Sequence, residues 1–593
     1  MIATSQQWAL WSCALLLVSP TGAFLPPIHP RQLDPTTFNW SAITPTADLR
    51  YHPCFDSFKC ARLRVPLDWS GTAQNLTSVT RKWRRDEDGG AYAAIAITVL
   101  PAVVPPTDPS YAGPILINPG GPGGAGTDMA LAYGKALQQL VDTPGERHFD
   151  ILGFDPRGTG KSTPSAMCYP SEFDRAIGAL QLASFPSVST EIGLMTQFEY
   201  LRGEGQLCKS NEGNGDIFRY MSTASVARDM LEIVERSAVL NGNGTRVGRR
   251  CAEKPRLQYI GFSYGTFLGN TFASMFPDRV GRMVVDGIVD ADDYIAGIFS
   301  KNAVDAEKAI DVFYQTCFDA GELCPLRQTQ DGSASDIRQR VDSFLRSIEE
   351  SPISVVQNGG VNLITAFFVR EMIRTALYNP IRVYETLAKT LAGILAGNYT
   401  GLFSPNTQEA LCQQVPETSP PQTYTWAREA TSGVICGDSY ALAGDRNVSW
   451  ARSLAARVIA QSPTTSDGWL RVALGCAGWD ISPDYVFHGP FGSPAPGNKS
   501  APAAPLLILS TEVDHATPLE NAFTLSRFHK GSSVVVQEGI GHCALLSSTS
   551  NCTSGIVREY FRTGTVPANG TFCASDCRPE IPFKGCPGLP GSA

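Results

Sequence analysis

The chain has 593 residues, of which 43% are hydrophobic and 18% are charged, and its formal net charge is −8. This composition is typical of a folded globular protein and excludes a chain that is mostly disordered. The acidic balance also argues against nucleic acid as a partner, because there is no basic excess to neutralise phosphates.

The amino terminus predicts a secretion signal. Residues 8–18 form an apolar run that is too short to span a bilayer, and the small residues that follow it suit cleavage after Ala23. No later segment has eighteen uninterrupted apolar residues. We therefore expect a secreted, extracellular protein that loses residues 1–23 and has no membrane span.

Cysteines and glycosylation motifs agree with an oxidising compartment. The sixteen cysteines leave fifteen after removal of Cys13, so at least one thiol is unpaired or bonded to another chain. Close spacing suggests loops closed by Cys54–Cys60, Cys317–Cys324, Cys543–Cys552 and Cys573–Cys577. Eight N-x-S/T motifs predict glycosylation at Asn39, Asn75, Asn243, Asn398, Asn447, Asn498, Asn551 and Asn569.

In the first half of the chain, short apolar strands alternate with helices. A helix is predicted at 223–235 with Thr223 as its N-cap. Strands are predicted at 60–69, 92–100, 114–118, 149–154, 257–262 and 282–289. This alternation predicts an α/β protein with a mostly parallel sheet that helices cover on both faces.

The second half changes character. Helical periodicity dominates residues 299–400, as at Ile337, Val341 and Ile348, and no strand is expected before the runs at 505–510 and 533–537. The predicted organisation is a signal peptide (1–23), an N-terminal arm (24–48), the first part of an α/β core (49–292), a helical cap insertion (293–480), the second part of the core (481–572) and a Cys/Pro/Gly-rich tail (573–593).

The strongest chemical signal is the pentapeptide Gly261-Phe262-Ser263-Tyr264-Gly265. It follows an apolar strand and precedes a helix with small residues on one face. That context predicts a sharp strand-to-helix turn that exposes the Ser263 hydroxyl and turns the Tyr264 N–H toward an oxyanion.

A nucleophilic serine needs a base and an acid later in the chain. Asp514 and His542 each follow a predicted strand, at the edge where α/β sheets place their sites. The competitors are weaker: His515 lies too close to Asp514 in sequence to join it to Ser263, and Glu512 lies nearer the strand. We predict Asp514 as the acid and His542 as the base.

The glycine-rich loop at residues 118–126 is the expected source of a second oxyanion N–H. It also contains G-x-G-x-x-G, the fingerprint of a dinucleotide site. Pro122 interrupts that turn, and no acidic strand end follows about twenty residues later, so we interpret the loop as an oxyanion loop.

Together these motifs resemble the proline iminopeptidase branch of α/β-hydrolases, and more closely its secreted tripeptidyl-aminopeptidase-like members. The resemblance covers most of residues 50–560. It is based on PGGPG at 119–123, GFDPRGTGKS at 153–162, GFSYGT at 261–266, FPDRVGRMVVDG at 276–287, DHATP at 514–518 and GHC at 541–543, with VPLDW at 65–69, ICGD at 435–438 and CAGW at 476–479.

The resemblance implies an α/β-hydrolase fold with a helical cap and a TAP-like carboxyl-terminal region. It implies catalysis by Ser263, Asp514 and His542, with oxyanion N–H groups at Gly121 and Tyr264. Such a triad needs no metal or organic cofactor. One departure is Pro119, where iminopeptidases have histidine; it argues against strict proline iminopeptidase activity.

The expected function is a serine aminopeptidase that releases tripeptides or other short units from a peptide substrate. The free amino group needs a carboxylate partner, for which Asp438 and Glu371 are candidates, whereas Asp155 and Arg157 are expected to form a structural pair. The alternative is an esterase, lactonase or amidase acting on a small metabolite. A non-catalytic binding module is disfavoured, because every catalytic residue is present.

Overall fold

The computed structural model describes residues 38–72, 91–210, 215–242, 254–357, 360–403, 427–442, 445–492 and 502–586. The predicted signal peptide and the first part of the predicted arm, residues 24–37, lie outside the described residues.

Twelve strands are present in the described ranges. They are β1 (His52–Pro53), β2 (Lys59–Pro66), β3 (Tyr92–Leu100), β4 (Tyr111–Asn118), β5 (His148–Phe154), β6 (Leu257–Phe262), β7 (Val280–Asp286), β8 (Ile353–Gln357), β9 (Gly360–Ile364), β10 (Leu506–Val513), β11 (Ser533–Ile540) and β12 (Thr571–Cys573).

Ten of these strands form the sheet at the centre of the structure. Their spatial order is β1-β2-β3-β5-β4-β6-β7-β10-β11-β12. The pairs from β1 to β5 are antiparallel. All later pairs are parallel, so the sheet is mostly parallel, as predicted.

Sixteen α-helices are present in the same ranges. They are α1 (Gly126–Val141), α2 (Glu172–Ser184), α3 (Glu191–Ser210), α4 (Thr223–Leu240), α5 (Tyr264–Met275), α6 (Ala291–Ile295), α7 (Ala306–Asp319), α8 (Ala334–Glu350), α9 (Ala366–Ala376), α10 (Pro380–Leu395), α11 (Ala427–Asp438), α12 (Val448–Gln461), α13 (Ser466–Leu474), α14 (Leu519–Phe528), α15 (Ala544–Ser547) and α16 (Asn551–Thr563).

The central strands are buried on both faces, which explains their continuous apolar sequences. Ile115 and Ile117 of β4 face a core with residues of α1 and α16, whereas Leu116 faces a core with residues of α4 and α5. Because side chains alternate along a strand, one apolar run fills two helix layers.

The cap has its own apolar core, built by α7 to α10 with residues such as Phe313, Ile337 and Leu387. Two features differ from the prediction. Strands β8 and β9 form an antiparallel hairpin where only helix was expected. Helices α2 and α3 precede Ser263, yet α3 packs against the cap helices α12 and α13.

The start of α4 also differs by one residue. Its N-cap is Ser222, whose hydroxyl accepts the Ser225 N–H, and not Thr223. The Thr223 side chain instead bonds to Asp438, 215 residues later in the chain.

Six disulfides are formed by the described cysteines, a number typical of extracellular proteins. The predicted pairs Cys54–Cys60 and Cys317–Cys324 are confirmed. The other bonds are Cys168–Cys208, Cys436–Cys476, Cys552–Cys573 and Cys577–Cys586.

The predicted pairs Cys543–Cys552 and Cys573–Cys577 are wrong. Strand β12 brings Cys573 beside Cys552 at the start of α16, and this leaves Cys577 to bond with Cys586. Cys543 stays a buried free thiol. Across the described ranges, the helices are all too short or too polar to cross a bilayer.

Candidate active site

Ser263 occupies the turn between β6 and α5. Its backbone has φ +54° and ψ −126°, a conformation that non-glycine residues rarely adopt and that places the side chain at the tip of the turn. Its N–H donates to the Asp286 carbonyl at 3.0 Å, and the Thr266 hydroxyl donates to its carbonyl at 2.6 Å. These two bonds fix the turn from both sides.

The glycine-rich loop after β4 lies directly against this turn. Gly120 has φ +89°, and a Cβ there would stand 2.3 Å from the Phe262 carbonyl oxygen and 2.9 Å from the Tyr264 nitrogen. Only glycine permits this approach. Gly121 and Tyr264 both line the cavity beside Ser263. Because Tyr264 opens α5, its N–H has no acceptor within the helix.

Asp514 and His542 form a buried pair at the ends of β10 and β11. His542 Nδ1 lies 2.9 Å from Asp514 Oδ2, and the two side chains are 3% and 0% exposed. The carboxylate also accepts the backbone N–H groups of Ala516, Thr517 and Cys543. With Nδ1 facing Asp514, the outward nitrogen of the imidazole is Nε2.

The surroundings of Asp514 keep it ionised. Burial alone would raise its pKa, but the charge and hydrogen bond of His542, together with His515 and the Thr517 N–H, outweigh burial and lower the pKa to about 2. The Thr517 hydroxyl donates to Asp514 Oδ2 at 2.7 Å and lies 3.1 Å from His542 Nδ1. Asp514 is therefore an anion next to the imidazole across the physiological pH range.

The two competitors from the sequence have different surroundings. Glu512 is exposed and accepts the Gly539 N–H. Burial lowers the pKa of His515 to about 3, so this ring is neutral, and neither of its nitrogens has a hydrogen-bond partner. His515 packs edge-on against Tyr378, with ring centroids 4.4 Å apart.

The His542 loop, residues 541–547, also contacts the serine turn and the cap. Gly287 follows Asp286, and a Cβ there would stand 2.7 Å from Cys543 Sγ and 3.4 Å from His542 Cε1. The His542 N–H donates to the carbonyl of Tyr378, a residue between α9 and α10. The loop is thus enclosed by the end of β7 on one side and by the cap on the other.

A cavity opens beside Ser263 between these loops and the cap. None of the described residues lining it is charged: Gly121, Pro122, Ser263, Tyr264, Val289, Tyr294, Phe299, Asn302, Tyr378, Ile435, Trp469, Ala516 and Thr517. Trp469 is 6% exposed, and its buried indole N–H has no hydrogen-bond partner.

The two candidate partners for a substrate ammonium lie behind this wall. Asp438 is buried and accepts the Thr223 N–H at 2.8 Å and the Tyr294 hydroxyl at 3.0 Å. Burial raises its pKa to about 7, against the effect of those hydrogen bonds. Glu371 forms an ion pair with Arg374, whose guanidinium also donates to the Tyr378 hydroxyl at 3.3 Å.

The expected pair of Asp155 and Arg157 is wrong. Arg157 binds Asp229 of α4 through two nitrogens, at 2.7 and 2.6 Å, and is fully buried. Asp155 accepts the N–H groups of Thr127 and Lys161. The two side chains extend in different directions because Asp155 binds the start of α1, whereas Arg157 extends to α4.

Five of the predicted glycosylation sites are exposed in the described part of the chain, namely Asn39, Asn398, Asn447, Asn551 and Asn569. Asn75, Asn243 and Asn498 lie outside it. Within the described ranges, no three His, Cys, Asp or Glu side chains are grouped so as to hold a metal ion.

Two protein-family models match the chain. One, described as "alpha/beta hydrolase fold", matches residues 113–303, and the other, described as "TAP-like protein", matches residues 462–573. An α/β hydrolase from a Medee basin deep-sea metagenome matches in structure at 11% identity with a TM-score of 0.28, over 80% of this chain and 96% of that one.

Three curated relatives span most of the chain. A tripeptidyl aminopeptidase of Streptomyces lividans is 25% identical over 79% of this chain and 78% of that protein. Serine protease Hip1 of Mycobacterium tuberculosis is 26% identical over 87% of each chain. Carboxylesterase B of the same organism is 26% identical over 87% of this chain and 86% of that protein.

The strand order and the first family match define a protein of the α/β-hydrolase fold, which confirms the predicted fold class. Within that class, the chain is a hydrolase with a TAP-like carboxyl-terminal part, similar to tripeptidyl aminopeptidase and to serine protease Hip1. The predicted resemblance is thereby confirmed.

Proposed function

We propose that the protein is a serine hydrolase in which Ser263 is the nucleophile, His542 the general base and Asp514 the acid that orients it. The single observation that supports this most is the buried Asp514–His542 pair, whose loop shares the Asp286 carbonyl with a serine held at φ +54°. Strain of this kind is typical of catalytic turns.

The reaction would proceed in two halves. The Ser263 oxygen attacks the substrate carbonyl carbon while His542 Nε2 takes its proton, and Asp514 stabilises the resulting imidazolium. The N–H groups of Gly121 and Tyr264 bind the oxyanion, and each such donor contributes about 3–4 kcal/mol of barrier lowering. His542 then protonates the leaving group, and water hydrolyses the acyl-enzyme by the same proton route.

We propose an aminopeptidase as the first substrate class, releasing tripeptides or other short units. The names of the first relatives support this choice. Of the two candidate ammonium partners, Asp438 is favoured: it lies behind Tyr264 and Tyr294, which line the cavity, whereas Glu371 is neutralised by Arg374. An approaching ammonium would lower the pKa of Asp438 and hold it ionised.

A second candidate is an esterase or amidase acting on a small, uncharged acyl group. The observation that favours it is the cavity wall, which has no charged side chain among the described residues. The carboxylesterase B relative is similar over the same extent of chain as serine protease Hip1.

The test compares an unblocked tripeptide amide with its N-acetylated twin, with Ser263→Ala beside the wild type. Cleavage of only the unblocked peptide, reduced at least about 10⁴-fold in the variant, supports the aminopeptidase. Serine-dependent hydrolysis of an aryl ester with neither peptide cleaved supports the second candidate. Wild-type turnover that survives Ser263→Ala contradicts both.

We also propose that the protein is secreted and glycosylated. The exposed sequons and the six disulfides support this. Expression in a eukaryotic secretory host should give a medium protein that begins at Phe24 and loses mass on treatment with an N-glycosidase. Retention in the cell with Met1 intact would contradict it.

A further inference from the structure

Asp286, the last residue of β7, joins the two loops that hold the proposed nucleophile and base. Its carbonyl oxygen accepts the Ser263 N–H at 3.0 Å and the Cys543 thiol at 3.3 Å. Its own strand lies between β6, which leads to Ser263, and β10, which leads to Asp514. One backbone group is therefore shared by the serine turn and the His542 loop.

The carboxylate of Asp286 also binds backbone N–H groups of the His542 loop. Oδ1 accepts the Ala544 N–H at 2.7 Å, and Oδ2 accepts the Leu545 N–H at 2.8 Å. These N–H groups open α15, directly after His542 and Cys543. The side chain is fully buried, so no water competes for these bonds. Hydrogen bonds to an ionised carboxylate are about twice as strong as those between neutral groups.

Asp286 and Asp514 therefore hold His542 through different groups. Asp514 bonds to the imidazole itself, whereas Asp286 bonds to the backbone that follows it. Burial raises the pKa of Asp286 to about 6, against the two N–H bonds and the His542 charge that favour the anion. The charged or titratable groups facing it are His542, Asp514 and the Cys543 thiol.

We propose that Asp286 is a positioning residue for the reaction assigned above, and the inference rests on that proposed function. Its carboxylate sets the His542 backbone at the correct distance from Ser263. Protonation would replace one acceptor by an O–H donor that opposes an N–H donor. The loop would then loosen, and transfer of the serine proton would become slower.

The test is Asp286→Asn, which keeps the size of the side chain and removes one acceptor. We expect kcat to fall by about 10–100-fold with KM changed less than about twofold, because a displacement near 1 Å costs on this order. The acid limb of the kcat–pH profile should also become less steep, since the amide side chain of the variant does not titrate. Rates are expressed per folded molecule, from thermal unfolding followed by circular dichroism.

The matched control is Asp150→Asn. Asp150 is another carboxylate with a raised pKa, mainly through burial, and it accepts one backbone N–H and one tyrosine hydroxyl far from Ser263. The Asp150→Asn variant should lose stability without any change in the kcat–pH profile. If both variants show the same kinetics, the inference is overturned.

A second variant covers the case in which Asp286→Asn does not fold. Cys543→Ala removes the thiol, which bonds to the Asp286 carbonyl and to the Ser263 backbone, and should lower kcat about threefold to tenfold, the range of one lost hydrogen bond, at constant KM. An unchanged kcat would overturn the inference. Failure of Ser263→Ala to reduce turnover would instead overturn the proposed function, so the two failures are distinguishable.

Discussion

The loops at the strand ends and the cap wall face each other across one cavity, and they differ in where their charged side chains lie. In the loops, the Asp514 carboxylate touches the His542 ring, and Asp286 touches the backbone beside it. In the cap, Tyr378 and Trp469 face the cavity, while the Glu371–Arg374 ion pair lies behind them. We expect the loops to carry the proposed chemistry and the cap to present an uncharged wall to the substrate, with Asp438 and Glu371 behind that wall.

The largest effect expected from this division is the loss of the Asp514 carboxylate. Asp514→Asn should lower kcat about 10⁴-fold, because the wrong imidazole tautomer would face Ser263. The matched control is Glu512→Gln, two residues away and exposed, which should retain activity within about twofold on the same scale. Steady-state kinetics of both variants decide between the two acids. Equal losses in both would contradict the assignment.

A change in the cap should instead affect stability more than chemistry. Arg374→Met leaves Glu371 buried without its partner and should cost about 3–5 kcal/mol of unfolding free energy. Arg452→Met breaks an exposed pair with Glu191 and should cost about 0–1 kcal/mol. Urea unfolding measures both. If the two variants lost a similar amount of unfolding free energy, the buried pair would not be a specific source of stability in the cap.

Asp438 of the cap helix α11 accepts a hydrogen bond from Thr223 of α4 and gives a prediction about the pH dependence of stability. Its pKa in the fold is raised to about 7, so its contribution to stability is present below about pH 4 and is lost as the pH rises through 7. Relative to wild type, Asp438→Asn should therefore gain a few degrees in melting temperature between about pH 5 and pH 8. The exposed Asp278→Asn serves as control. A parallel shift at all pH values would contradict the prediction.

The smallest predicted effect concerns the unpaired indole N–H of Trp469, a residue that lines the cavity. Trp469→Phe should raise KM by up to about tenfold if the substrate carbonyl accepts this bond, with kcat nearly unchanged. Trp479→Phe is the matched control, because Trp479 also has an unpaired N–H but lines a separate cavity. A KM change in both, or in neither, would remove Trp469 from substrate binding.

The sequence predicted the loop region far better than the cap. Strand β6 and the turn at Ser263 are local patterns, in which a few adjacent residues specify both backbone and chemistry. The glycine-rich composition of the loop at 118–126 is likewise a local pattern, although the close approach of Gly120 to Phe262 and Tyr264 becomes visible only in the fold. The predicted strand bounds 257–262 and 92–100 are those of β6 and β3 in the structure.

The cap helices were predicted, but two kinds of feature were missed for physical reasons. Strand β8 contains the β-branched residues Ile353, Val355 and Val356, and Asn358-Gly359 after it was the sequence signal that could have identified the hairpin. Long-range partners have no such signal: Arg157 reaches Asp229, and Cys168 bonds to Cys208 across 40 residues. Thr517 was not assigned a role at the site from sequence alone, because His542, one of its partners, follows another strand.

We expect Ser263 to become acylated because His542 removes its proton. The most direct measurement is labelling of the folded protein with a fluorophosphonate, followed by peptide mass spectrometry. We expect one adduct, on Ser263, formed rapidly in the wild type and lost or strongly slowed in His542→Ala. An adduct on a different serine, or labelling of Ser263 at an equal rate in His542→Ala, would contradict it.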